Sequence, residues 1–172
     1  MIYYAIFNGR FGDMFVASTD KGICRIELNC ENAGSFFFWM DSIGKYAESM
    51  DKNLKYINQL EGYFNRSVKK FDMNMDVHGT DYQKRVWREI MSIPYGTVKT
   101  YGDISKSIHS SPRAVGQANK KNLLPIVIPC HRVISSSGIG GYGGEVKGRN
   151  IDIKRYLLQL EGYDCSIFKS PS

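Results

Sequence analysis

The spacing of hydrophobic positions changes along this chain, and each change predicts a different element. From Tyr3 to Leu28, short apolar runs alternate with turn residues. Tyr3-Tyr4-Ala5-Ile6-Phe7 precedes Asn8-Gly9, a dipeptide that tolerates positive φ and so signals a hairpin. Met14-Phe15-Val16-Ala17 leads into Asp20-Lys21-Gly22, and Ile23-Cys24-Arg25-Ile26-Glu27-Leu28 alternates cleanly. These runs predict a three-stranded antiparallel meander, with Cys24 as a small buried hydrophobe on its third strand. Residues 36–49 start aromatic and turn helix-like, leaving strand and helix both open. Leu54, Ile57, Leu60 and Phe64 recur at helical spacing and predict an amphipathic helix ending near Asn65. Phe71, Met73, Met75 and Val77 alternate with polar residues, which predicts an extended linker or edge strand. Helical pattern returns only after His78-Gly79, so the domain boundary is set there, dividing the chain into residues 1–79 and 80–172.

The second half opens with a capping box, Thr80-Asp81-Tyr82-Gln83, ahead of Val86 and Ile90. This helix should stop at Pro94-Tyr95-Gly96. After a short extended piece, Thr100 can cap a second helix through Ile104 to Ile108. Ser111-Pro112, an N-cap followed by proline at the first helical position, opens a third helix through Asn119. Two short helices joined by a tight polar turn, the second of them basic, form a helix-turn-helix candidate. The third helix, Arg113-Ala114-Val115-Gly116-Gln117-Ala118-Asn119-Lys120, presents small residues that permit close backbone approach and cations that can reach phosphates. The same small residues could serve tight packing on a neighbouring helix, but with Lys120 and Lys121 following, the nucleic-acid reading is favoured. Leu124-Pro125-Ile126-Val127-Ile128 reads as a buried strand delivering Pro129-Cys130-His131-Arg132 to the domain's edge.

Composition narrows the class. The 172 residues are 42% hydrophobic and 23% charged, which excludes collagen-like, low-complexity and disordered chains and supplies a core without staples. No apolar run approaches the roughly 20 residues of a membrane span, and the N-terminus lacks a signal-peptide pattern, so an intracellular soluble protein is expected. Of the net charge of +6, residues 1–79 carry −1 and residues 80–172 carry +7. That asymmetry suits a polyanionic partner such as nucleic acid, and equally a solvated basic surface. The cysteines are Cys24, Cys30, Cys130 and Cys165, with no CxxC pair to indicate a zinc ribbon or a thioredoxin-like centre.

Cys130 is set apart by its neighbours. A thiol beside a histidine and an arginine lies in positive potential, which favours the thiolate that attacks carbon electrophiles. In an extended chain adjacent side chains point to opposite sides, so a local turn or a bridging water would have to join Cys130 to His131. An isolated Cys-His pair would read as a buried structural cysteine.

The pair is not isolated. Ile128-Pro129-Cys130-His131-Arg132-Val133, with Arg113-Ala114-Val115-Gly116 before it and Gly140-Gly141-Tyr142-Gly143-Gly144 and Leu157-Leu158-Gln159-Leu160-Glu161-Gly162 after it, resembles the O6-alkylguanine-DNA alkyltransferase family. The resemblance is strong over about residues 80–163 and architectural in the N-terminal region. It implies an α+β fold: a small antiparallel-sheet, ribonuclease-H-like N-terminal domain and a helical C-terminal domain containing a winged helix-turn-helix. It also implies direct, stoichiometric transfer of the alkyl group from an O6-alkylguanine, flipped out of duplex DNA, to Cys130, with no cofactor; some relatives carry a structural zinc, but the cysteine and histidine spacing here predicts no metal.

The resemblance assigns roles residue by residue. Cys130 accepts the alkyl group, His131 draws off the thiol proton through a water, Glu161 orients that histidine, and Asn122 holds the segment before the acceptor. Tyr101 assists base rotation and donates toward guanine N3, and Arg113 enters the duplex in place of the flipped base. Ser111, Ala114, Gly116 and Ser136 complete the DNA-facing set, while Val133, Tyr142 and Gly143 join Tyr101 around the alkyl group. The expected setting is a monomer in the cytoplasm, or the nucleus of a eukaryote, acting on duplex DNA and not on a membrane.

Three positions depart from the family pattern. Gly143 stands where many relatives have serine, the stretch 145–152 is longer than in many relatives, and Asn119 is polar where some relatives are apolar. Cys24, Cys30 and His78 form no familiar zinc spacing. Two other function classes compete. A non-catalytic protein that flags alkylation damage would lack the acceptor cysteine, which is present here. A methylation-sensing transcription regulator would need a zinc-cysteine sensor and a second DNA-binding module, and neither fits this chain.

Overall fold

The computed structural model describes residues 1–29 and 33–168, and Cys30 lies outside the described residues. The chain forms two compact units, one of residues 1–78 with 123–125 and one of residues 79–122 with 126–172.

In the first unit, β1 (Ile2–Gly9), β2 (Gly12–Thr19) and β3 (Gly22–Glu27) form the expected antiparallel meander. A fourth strand, β4 (Tyr46–Glu48), joins β1 in parallel and gives the sheet order β3-β2-β1-β4. Parallel pairing needs a crossover, and α1 (Ala33–Ile43) supplies it, settling the ambiguous stretch as helix, then strand. One sheet face carries Ile2, Phe15, Ala17 and Cys24, packed with Phe36 and Met40 of α1. Helix α2 (Met50–Phe64) contacts β1 and β2 and buries Tyr56, Ile57, Leu60 and Tyr63. Central β2 is consequently buried from Met14 to Ser18. That explains its unbroken apolar run where alternation would mark a half-exposed strand. The linker is extended, as expected, and bridges β3 only at Ile23 and Met75. Cys24 donates its thiol hydrogen bond to the Ala17 carbonyl.

The second unit is built on three helices: α3 (Asp81–Met91), α4 (Tyr101–Ser107) and α5 (Pro112–Lys120). Thr80, Thr100 and Ser111 cap them through side-chain oxygens. Thr100 forms a second capping box, with Asp103. The Trp87 indole on α3 donates to the Ala118 carbonyl of α5. Beyond the helices, β5 (Lys99–Thr100) pairs in parallel with β6 (Val133–Ile134), and α6 (Arg149–Leu160) closes the unit. Among the described residues no helix is long and apolar enough to cross a membrane.

One expectation fails. Residues 124–128 are not a strand but a chain of bends and turns, in which Ile126 takes φ 75° while 1% exposed. A β-branched residue in the left-handed region cannot continue a pleated strand. The apolar run signals burial, and burial alone does not specify extension.

Phe36 is fully buried between β2 and α1, whereas Phe38 on the same helix is 76% exposed. Phe36→Ala is expected to lower unfolding free energy by about 3–5 kcal/mol, and Phe38→Ala by less than about 0.5 kcal/mol, in denaturant titrations.

Candidate active site

The candidate nucleophile sits in a single turn of 3-10 helix, Cys130–Arg132, entered through Pro129. A tight turn, rather than an extended chain, therefore carries the cysteine and histidine. All three side chains are buried, and His131 is fully so. Before the turn, the Asn122 amide donates to the Ile128 carbonyl at 2.8 Å. The Asn122 and Tyr142 side chains lie close enough to the Cys130 sulfur to favour its thiolate against burial.

Glu161 comes from the far end of the sequence, at the C-cap of α6. Its Oε1 lies 2.7 Å from His131 Nε2. Arg132 grips both carboxylate oxygens, Nε to Oε2 at 2.9 Å and Nη2 to Oε1 at 3.0 Å, and donates its Nη1 to the Ile93 carbonyl at 2.6 Å. The turn after α3 completes the cage. The Gly96 N–H donates to Glu161 Oε2 at 3.0 Å, and the Tyr95 hydroxyl donates to the Leu160 carbonyl at 3.3 Å. Gly96 has φ 76°, and a Cβ there would fall 2.8 Å from the Glu161 carbonyl oxygen, so the turn requires glycine.

Electrostatics follow from this burial. Desolvation pushes the Cys130 thiol up, against the opposing pull of Asn122, Lys154 and Tyr142. Burial also pushes His131 down, although the hydrogen bond and charge of Glu161 resist. Burial alone would raise Glu161, but its hydrogen bonds and charge pairing with His131 and Arg132 bring it to about 2. At neutral pH the resting site is thus a neutral thiol and a neutral imidazole beside a fully ionised carboxylate. With Nε2 committed to Glu161, proton exchange on the thiol side falls to Nδ1.

Two polar residues of this site are absent from the sequence-based set. Arg132 stands inside the acceptor motif and is the only cation contacting Glu161 in the hydrogen bonds above. Lys154 is fully buried, donating Nζ to the Val133 carbonyl at 2.6 Å and the Gly141 carbonyl at 3.0 Å. Desolvation brings it down to about 7. Its signal in the sequence was available, a lone lysine among Ile151, Ile153, Leu157 and Leu158 on the buried side of α6.

A hollow of about 340 Å³ opens beside these elements, lined by Tyr101, Gly102, Pro112, Gly116, Ser136 and Gly141 among others. The Tyr101 hydroxyl donates to the Gly141 carbonyl at 3.3 Å, and burial raises its pKa. Of the expected pocket residues, Tyr101 lines this hollow, whereas Val133, Tyr142 and Gly143 do not. Val133 and Tyr142 are buried, and Gly143 is exposed at φ 58° with the Asn150 amide behind it. Ser111 and Arg113 stand exposed at the start of α5, with Ala114 half-buried.

Known proteins give a consistent answer. Residues 81–163 match the family model for the 6-O-methylguanine DNA methyltransferase DNA-binding domain, and residues 2–77 match the ribonuclease-like domain of the same family. A methylated-DNA–protein-cysteine methyltransferase of Methanosarcina acetivorans is 36% identical over 169 residues, covering 94% of this chain and 99% of the relative. The constitutive enzyme of that name from Bacillus subtilis is 35% identical over 165 residues. Among solved structures, Mycobacterium tuberculosis OGT in complex with DNA superposes with a TM-score of 0.77 at 32% identity, covering 92% of each chain.

Two outcomes follow from the Glu161 cage. Arg132→Met leaves a buried carboxylate short of its cation, so a stability loss of about 3–5 kcal/mol is expected, with His131 titrating at higher pH in NMR spectra. Acidification removes stability in two stages. His131 binds a proton more readily when unfolded, so its contribution falls away below pH 6.5; that of Glu161 falls away between 4.5 and about 2. Unfolding midpoints measured against pH should show both stages, and Glu161→Gln should flatten the lower one.

Proposed function

The chain belongs to the 6-O-methylguanine DNA methyltransferase family, and we propose on that premise that Cys130 is its alkyl acceptor, activated by His131 and Glu161. The protein repairs DNA directly, taking the alkyl group of O6-alkylguanine onto one of its own cysteines. The observation that carries the assignment to Cys130 is the 2.7 Å His131–Glu161 contact joined to the acceptor turn.

The steps balance as follows. His131 takes the Cys130 proton, through a water as in the family, and Glu161 stabilises the imidazolium that forms. The thiolate attacks the alkyl carbon; the S–C bond forms, the C–O6 bond breaks, and its electron pair leaves on guanine. Tyr101 donates toward N3 of the departing base and limits the charge that develops there. The product is a thioether, which water does not cleave as it would a thioester, so each molecule acts once.

Burial gives this chemistry a resting state of low reactivity. A thiol held above its ordinary value resists adventitious electrophiles, and the base must be extruded from the duplex to meet it. Asn122 holds the carbonyl of Ile128, two residues before the sulfur, and so sets the direction of attack.

DNA recognition is assigned to the start of α5. Arg113 would fill the space left by the flipped base, with Ser111, Ala114 and Gly116 against the backbone and Ser136 at the edge of the hollow. Residues 1–79 form the ribonuclease-like domain and residues 80–172 the acceptor domain in this reading. The protein is taken to act as a monomer, in the cytoplasm or a nucleus. A purely damage-flagging role is disfavoured by Cys130 itself.

Mixing the protein with duplex DNA that carries one O6-methylguanine should add one methyl group, located on the Cys130 peptide by mass spectrometry. The addition should saturate at one per molecule and vanish in Cys130→Ala. Tight lesion binding without transfer would instead favour the damage-flagging role.

A further inference from the structure

Lys154 takes no step in the chemistry above, and its place in the fold is unusual for a lysine. It is fully buried, and its Nζ donates to the Val133 carbonyl at 2.6 Å and to the Gly141 carbonyl at 3.0 Å. Val133 opens β6 immediately after the Cys130–Arg132 turn. Gly141 belongs to the loop that touches Tyr101. A Cβ on its neighbour Gly140 would fall 3.2 Å from Tyr101 Cε2, and the Tyr101 hydroxyl donates to the Gly141 carbonyl itself at 3.3 Å. One oxygen therefore receives both Lys154 and Tyr101. Tyr101 in turn follows β5, whose Lys99 and Thr100 pair with Val133 and Ile134 of β6. The contacts close a ring: β5 to β6, β6 to Lys154, Lys154 to Gly141, and Gly141 back to Tyr101.

The sharing matters because a phenol has one proton to give. In the mechanism proposed above Tyr101 donates toward N3 of the departing base, so its O–H must leave Gly141. A carbonyl oxygen in a half-buried loop is destabilised when it is left without a donor. Gly141 is spared that loss if Lys154 stays in place. Lysine suits this position in either protonation state, since amine and ammonium both have the two N–H groups that two carbonyls need.

We propose that Lys154 is a positioning residue for Tyr101: by keeping the Gly141 carbonyl bonded and tied to Val133, it frees the tyrosine O–H to pass from the loop to the base. This rests on the alkyl-transfer reading above and adds to it the residue that makes its Tyr101 step accessible.

The test is a double-mutant cycle on methyl transfer from a duplex with one O6-methylguanine, followed in a single turnover at saturating DNA. Lys154→Met keeps the length of the buried stem and removes its donors. Gly141 then retains only the bond from Tyr101, so transfer should slow by roughly 10- to 100-fold, the cost of stripping a donor from an otherwise unpaired carbonyl. Tyr101→Phe should slow transfer as well. The double variant should stay within about 2-fold of Tyr101→Phe alone, because a lysine that acts through the tyrosine has nothing left to act on. A merely structural role would multiply the two losses, and that result would overturn the proposal. So would a Lys154→Met rate within about 2-fold of wild type.

Should Lys154→Met fail to fold, a crystal structure of Cys130→Ala bound to the same duplex decides. The Tyr101 hydroxyl should have left Gly141, with Lys154 Nζ still within about 3.2 Å of that carbonyl. Tyr101 still bonded to Gly141, or Lys154 displaced along with it, would overturn the proposal. Failure of wild type to methylate Cys130 at all would overturn the alkyl-transfer assignment, whereas multiplied losses in an active protein count against the role of Lys154 alone.

Discussion

One buried carboxylate organises the second unit. Glu161 accepts hydrogen bonds from His131, Arg132 and the Gly96 backbone, so the end of α6, the acceptor turn and the turn after α3 meet at two oxygen atoms. A charge taken out of water must be paired and fully hydrogen-bonded, or the fold loses more than the pair returns. Here that requirement is met by three segments that are distant in sequence. The same bonds that satisfy the charge fix the histidine ring, so structural and chemical demands fall on the same atoms.

Arg132 lets the carboxylate serve both ends. Glu161 alone would draw a proton onto His131 and leave it unable to act as a base. Burial is the main force that keeps the proton off His131, and the guanidinium adds its own repulsion to imidazolium. The imidazole therefore stays neutral at rest, with Glu161 in place for the proton transfer proposed above. Lys154 acts on the neighbouring backbone, tying Val133 after the acceptor turn to Gly141 in the loop that leads to Tyr142. A buried lysine with a value near 7 is costly, and the two carbonyls give it partners whether or not it is charged.

Tyr101 ties the start of α4 to the loop that carries Gly141. Its single O–H donates to the Gly141 carbonyl, a bond it gives up when it donates toward the leaving base in the mechanism proposed above.

Local pattern determined much of this by itself. The meander, the capped helices α3 to α5 and the helix at Leu54–Phe64 follow from period and from cap residues, because these are properties of neighbours in the chain. The family is likewise legible in the motif around Cys130. Tertiary structure alone decided the rest. Parallel β4 carries too little pattern in three exposed residues to be seen without β1 beside it. Leu124–Ile128 reads as a strand because burial and extension give the same apolar run, and only the packed chain shows Ile126 turning the other way. Arg132 and Lys154 are polar groups whose meaning lies in the partners that surround them. Those partners come from elsewhere in the chain, as Ile93, Glu161 and Gly141 do, and no spacing between neighbours encodes a contact of that kind.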